Sequence, residues 1–189
     1  MSNKTRILET ALALFNDKGT RSVTTNHIAQ AASISPGNLY YHFKNKEAII
    51  FALFEQMIKS WDSNEGLPEN LQTNLIDAQF SKVFEFVWQY RFIHRELSPL
   101  LQADDALKQF CVPVLQQRII EIKNILELLQ NHQVITKLDE TTTDFLSNSL
   151  LYYPLFWQNY LDAIGEKPTK AKVSLGVQMM KQLILPYLK

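Results

Sequence analysis

The sequence predicts an all-α chain: a small head of short helices followed by a larger helical body. Three observations predict it. Only 5 glycines and 7 prolines interrupt 189 residues, and 46% of the residues are hydrophobic, enough for a sizeable core in one or two domains. Apolar residues recur at intervals of three and four through most of the chain. Residues 24–46 carry two closely spaced helix starts, each marked by a hydroxyl side chain that can cap free backbone N–H groups: Thr24 or Thr25, then Ser35.

The first helix is KTRILETALALFNDKG, with Ile7, Leu8, Ala11, Leu14 and Phe15 on its buried face and Gly19 as a natural C-cap. Lys4 and Arg6 stand at its open end, facing phosphate or solvent. TTNHIAQAASI forms a second short helix, with Ile28, Ala29 and Ala32 as its apolar stripe. SPGNLYYHFKNK forms a third. Ser35 caps it, and Pro36 suits the first helical position, where a missing N–H costs nothing. Gly37 and Asn38 add little bulk, so the helix start can approach a surface closely. Leu39 and Phe43 stand four apart on a face that must bury. The other face shows Asn38, Tyr41 and His42, with Lys44 and Lys46 just beyond. Donors, an open helix N-terminus and lysines suit a phosphate-lined groove. Two short helices joined by a three-residue turn are the helix-turn-helix, whose second helix enters the DNA major groove. A plain pair of packed helices would share the apolar stripes. It would not require the small residues, the cap and the aromatic-His-Lys exit to coincide.

Residues 6–53 resemble the DNA-binding domain of the tetracycline-repressor (TetR) family of bacterial regulators. ILETALALF, Gly19, VTTNHIA, ISPGNLYYHF and KNKEAI occur in the family's order and spacing. The resemblance implies a three-helix DNA-binding domain followed by an α-helical ligand-binding and dimerisation domain. It implies that Thr24, Thr25 and Asn26 lie where the second helix meets DNA, and that Ser35, Pro36, Gly37 and Asn38 open the recognition helix. Tyr40, Tyr41, His42 and Lys46 sit at positions that commonly touch phosphates or bases. Ser33 departs from the pattern, because the family usually has glycine in the turn. A non-glycine residue at positive φ is strained by about 1 kcal/mol.

The formal net charge is zero, but it is unevenly spread. Residues 1–60 hold seven basic and four acidic side chains, and the remainder holds twelve basic and fifteen acidic. A basic head on an acidic body is expected where only the head meets nucleic acid.

The domains are expected at 1–47 and 48–189, with a fourth helix, KEAIIFALFEQMIKSW, linking them and the polar SNEGLPEN at 63–70 following it. LQTNLIDAQFSKVFEFVWQYRFIHREL alternates like a strand around Phe84, Phe86, Trp88, Tyr90 and Phe92, yet it is long, lacks turn residues and also has a helical face. It is expected to be one helix, with new starts at Ser98–Pro99 and near Asp104. A long helix then runs on, kinked at Pro113, either opening a pocket wall or bending round the core. Further helices are expected from about Asp139, interrupted or kinked at Pro154, and from Pro168 to about Leu185. The resemblance implies that these last two pair with their copies in a second subunit. Phe84, Trp88, Phe92, Phe110, Tyr153 and Trp157 either line a pocket for a small apolar or aromatic effector or fill the core.

Nothing in the sequence points to an enzyme: HExxH, a glycine-rich phosphate loop and GxSxG are all missing. The four histidines (27, 42, 94 and 132) lack metal-ligand spacing, and no cofactor is expected. Cys111, the single cysteine, fits a reducing cytoplasm and is expected to be a buried, inert thiol. Neither a signal-peptide core nor an apolar run of membrane-spanning length is present. The expected function is a ligand-responsive regulator, a repressor, holding a near-palindromic operator as a homodimer. The alternative is an interaction protein that keeps this fold without sequence-specific DNA binding.

Overall fold

The computed structural model describes residues 2–62 and 73–189. Among them the architecture is helical: α1 Asn3–Lys18, α2 Thr25–Ala31, α3 Pro36–His42, α4 Lys46–Asp62, α5 Thr73–Gln89, α6 Arg91–Ala103, α7 Asp105–Asn131, α8 Glu140–Ala163 and α9 Lys170–Gln182, then a 3₁₀ turn at Leu185–Tyr187. The polar stretch 63–70 lies outside the described residues. The chain divides into two compact units. The first holds the described residues up to 62 together with 90–107, and the second holds 73–89 and 108–189.

In the first unit, local chemistry sets the helix ends. Ser2 Oγ accepts from Thr5 N at the start of α1, and Gly19, at φ 76°, closes its end. Thr24 Oγ1 accepts from His27 N, while His27 Nδ1 accepts from Thr24 N, a reciprocal capping box. Ser35 Oγ accepts from Asn38 N at 3.2 Å, with Pro36 in the first turn. Such a cap contributes about 1 kcal/mol. Ser33 turns the chain at φ 52°, the left-handed conformation that favours glycine. α1 packs on α2, α3, α4 and α6. Ile7, Phe15, Ile28, Leu39, Leu53 and Phe92 form the fully buried centre, with the Phe15 and Phe92 rings 5.3 Å apart.

The helix expected across 71–97 is instead two helices. The chain leaves helical geometry at Tyr90 (φ −107°, ψ 32°), and α6 runs from Arg91 straight through Ser98 and Pro99. Tyr90 has no side-chain capping bond. Asn16 of α1 supplies one from outside, its Oδ1 accepting from the Phe92 N–H at 3.0 Å. Ser98–Pro99 resembles a cap and first helical position. Both residues are exposed, and α6 continues through the proline, which gives up one helical hydrogen bond. α7 and α8 likewise run unbroken through Pro113 and Pro154.

In the second unit, α9 packs on α5 and α8. Asp139 caps α8, and α9 starts at Lys170, capped by Thr169, a little after the expected start at Pro168. Ile76, Leu126, Leu129, Ile135, Leu146 and Ile184 form a buried cluster. The last residues close over it: Thr136 N donates to Tyr187 O at 2.7 Å and Lys189 N to Val134 O at 3.1 Å. On α8, Trp157 lies against Gly176 of α9 and donates its indole N–H to Lys172 O at 2.8 Å. No described helix is long and apolar enough to cross a membrane.

Candidate nucleic-acid interface

α2 and α3 meet at the turn 32–35, with Ile28, Ala29, Leu39 and Phe43 facing inward. That burial fixes what faces out. On α3, Ser35, Pro36, Gly37, Tyr40 and Tyr41 are exposed, Tyr41 by 83%, and Asn38 and His42 are partly so. A ring of Tyr41's size left in water has no role in the core of the free chain. The Tyr41 and His42 rings meet edge-on with centroids 5.1 Å apart. On α2, Thr24 and Asn26 are exposed, and Thr25 Oγ1 lies 3.0 Å from the Tyr40 hydroxyl, tying the two helices on their outer side.

Gly37 has ordinary helical φ, and a Cβ built there would meet only Ser35 Oγ, at 4.0 Å. The fold therefore does not demand glycine. Its effect is to leave the start of α3 unobstructed for a partner's close approach. Asn38 is oriented by Asn3, whose Nδ2 donates to Asn38 Oδ1 at 3.1 Å while its own Oδ1 accepts from Arg6 Nη2 at 2.8 Å. Asn3 was not legible as part of this site, because a contact across 35 residues leaves no local pattern. Lys4 stands over the Phe43 ring at 5.8 Å, and Lys46 Nζ donates to Thr20 O at 2.8 Å.

The body aromatics are not all brought together. Phe92 belongs to the first unit, closed against Phe15. In the second unit Tyr153 stacks on Trp157 at 6.3 Å, and Lys170 stands over the Phe84 ring at 5.6 Å. Trp88 and Phe110 are partly buried. Cys111 is buried, and desolvation pushes its thiol up to about 11, which leaves it protonated and unreactive near neutral pH. The described residues hold no group of three or more His, Cys, Asp or Glu side chains fit for a metal ion.

A capped two-helix unit with its polar face outward, joined to a helical body, defines the class of helix-turn-helix transcription regulators. Two family models match: "Bacterial regulatory proteins, tetR family" over residues 7–53 and "Bacterial transcriptional repressor" of the TetR type over residues 54–189. The chain belongs to the TetR family of bacterial transcriptional regulators, which act by binding DNA and not as enzymes. A TetR-family regulator of solved structure from Marinobacter aquaeolei VT8 is 34% identical, with a TM-score of 0.86, over 100% of this chain and 92% of that one. A TetR regulator from Haloarcula marismortui shares the fold at 12% identity, with a TM-score of 0.71, over 99% and 98% of the two chains. The biofilm operon icaADBC negative transcriptional regulator IcaR of Staphylococcus aureus is 33% identical over 89 residues, covering 45% of this chain and 46% of that one. The chain thus spans about half the length of the curated relatives it matches.

Proposed function

We propose that this regulator is a repressor that grips a near-palindromic duplex operator as a homodimer and releases it when a small apolar ligand enters its body. The observation that carries the DNA half is the outer face of α2 and α3. It combines an unobstructed glycine at the helix start, an oriented asparagine one residue on and two exposed tyrosines, with lysines at the exit. In this reading Asn38 reads base edges, while Thr24, Thr25, Asn26, Ser35, Pro36, Gly37, Tyr40, Tyr41, His42 and Lys46 position the head on the phosphates. The negative regulation by IcaR supports repression as the direction of control. Selection of bound duplexes from a random pool tests this half. It is expected to return an inverted repeat, and Asn38→Ala is expected to relax base preference within each half-site, at a cost of roughly 1–3 kcal/mol in discrimination. Recovery of no motif would remove the sequence-specific reading.

The dimer is supported by apolar side chains left in water on the last two long helices. Tyr152, Tyr160, Leu175 and Met179 are each 40% exposed or more. Leu175→Glu with Met179→Glu is expected to give monomers that keep their helical circular dichroism. Sedimentation showing a monomeric wild type at micromolar concentration would end this part of the proposal. The effector half rests on the partly buried rings of Phe84, Trp88, Phe110 and Tyr153. They suit a flat apolar molecule acting by differential affinity for two states of the dimer.

A further inference from the structure

We propose that Glu96, on α6, is a positioning residue for the DNA contact of Lys46, acting through Thr20. This rests on the reading of Lys46 as a phosphate contact. The three groups form a continuous chain within the first unit. Both Glu96 carboxylate oxygens lie 3.2 Å from Thr20 N, and Oε2 lies 2.5 Å from Thr20 Oγ1. The carbonyl of the same threonine accepts from Lys46 Nζ at 2.8 Å. Thr20 is buried and its N–H and hydroxyl are both held by the carboxylate, so the residue whose carbonyl receives Lys46 is fixed in place.

The neighbours hold the acid in place. Arg95 Nη2 lies 3.3 Å from Glu96 Oε1 and donates to Phe15 O at the end of α1. At Gly19 an added Cβ would come within 2.9 Å of Glu96 Oε1, so a side chain there would push against the carboxylate. Lys46 carries a long stem, and ordering it on DNA costs side-chain entropy. Anchoring one of its three N–H donors on Thr20 O removes part of that cost before DNA arrives, leaving the others for a phosphate.

Electrostatics alone gives the opposite sign. Removing an acidic residue from a DNA-binding head should tighten binding, because DNA repels the carboxylate. Positioning predicts that removing Glu96 weakens it, and only while Lys46 is present.

The test is a double-mutant cycle on the full chain. Binding to a random-sequence duplex of about 30 base pairs is measured as a function of salt. Lys46→Ala is expected to lower the slope of log affinity against log salt by about one per bound head. Glu96→Ala should weaken binding roughly threefold to tenfold and lower the slope in the same direction, and should add nothing in the Lys46→Ala background. Glu96→Gln loses the same charge but keeps an oxygen for Thr20 N, so it should recover part of the loss and guards against a misfolded alanine variant. Tighter binding by both Glu96 variants, or an equal loss with and without Lys46, overturns the positioning role and leaves the Lys46 contact standing. An unchanged slope in Lys46→Ala overturns the contact itself and the positioning role with it.

Discussion

Gly176→Ala is expected to destabilise the chain by about 1–3 kcal/mol, against the usual gain of about 0.5–1 kcal/mol for replacing a helix-interior glycine by alanine. The sign follows from the fit of α8 on α9. An added Cβ would lie 2.4–2.6 Å from three atoms of the Trp157 ring. That edge is not a flexible tip. It is part of a rigid indole whose N–H is bonded to Lys172 O at 2.8 Å, so yielding means breaking a partly buried hydrogen bond. Urea unfolding followed by circular dichroism measures the effect. In a Trp157→Leu background the alanine should cost far less, because the atoms it strikes are gone. A wild-type background that tolerates alanine, with an unchanged or raised midpoint, would show that the indole moves aside freely. The same fit bears on the proposed dimer, since Leu175 and Met179 lie on the helix that the Trp157–Gly176 contact seats.

A loss of stability in mild acid, set by His94, is the second large expectation. His94 lies on α6 in the first unit, and burial lowers its pKa to about 4. In the unfolded chain the ring titrates near its ordinary 6.5. Between these values the unfolded state binds the proton and the folded state does not, so unfolding is favoured as pH falls. The contribution is fully present above pH 6.5 and is lost progressively toward pH 4. A tenfold difference in proton affinity between the two states is worth about 1.4 kcal/mol, so going from about pH 7 to about pH 5 should cost about 2 kcal/mol from this residue. His94→Leu should flatten that part of the stability profile, and the carboxylates should then account for what slope remains. Equal slopes for wild type and variant would show that the ring gains its proton inside the fold. α6 also carries Glu96 and the Phe92 N–H that Asn16 accepts, so the proposed positioning of Lys46 depends on the same helix.

The head was readable because its signals are local. The Ser35 cap, the Pro36 start, the Gly19 stop and the Leu39–Phe43 pair each depend on residues within four of one another and appear where the pattern puts them, and of the two candidate caps Thr24 and Thr25 the structure uses Thr24. Asp139 marked the start of α8 for the same reason. The exposed face of α3 followed from the buried one, since a short helix with Leu39 and Phe43 inward has only one remaining side to present.

The residues themselves determined the helical class, the two-helix head, its exposed polar face and the asymmetry of charge between head and body. Tertiary structure alone decided where α5 ends and α6 begins. The capping oxygen for α6 comes from Asn16, 76 residues away, and no window along the chain contains both partners. It also decided that Phe92 joins the first unit's core, that Asn3 orients Asn38, that Glu96 holds Thr20 and that Trp157 fills the space left by Gly176. Periodicity fixes which face of a helix is apolar, because that depends only on the turn angle of one helix. It cannot fix which neighbour that face meets, because distant residues are brought together only when the apolar faces of several helices bury at once.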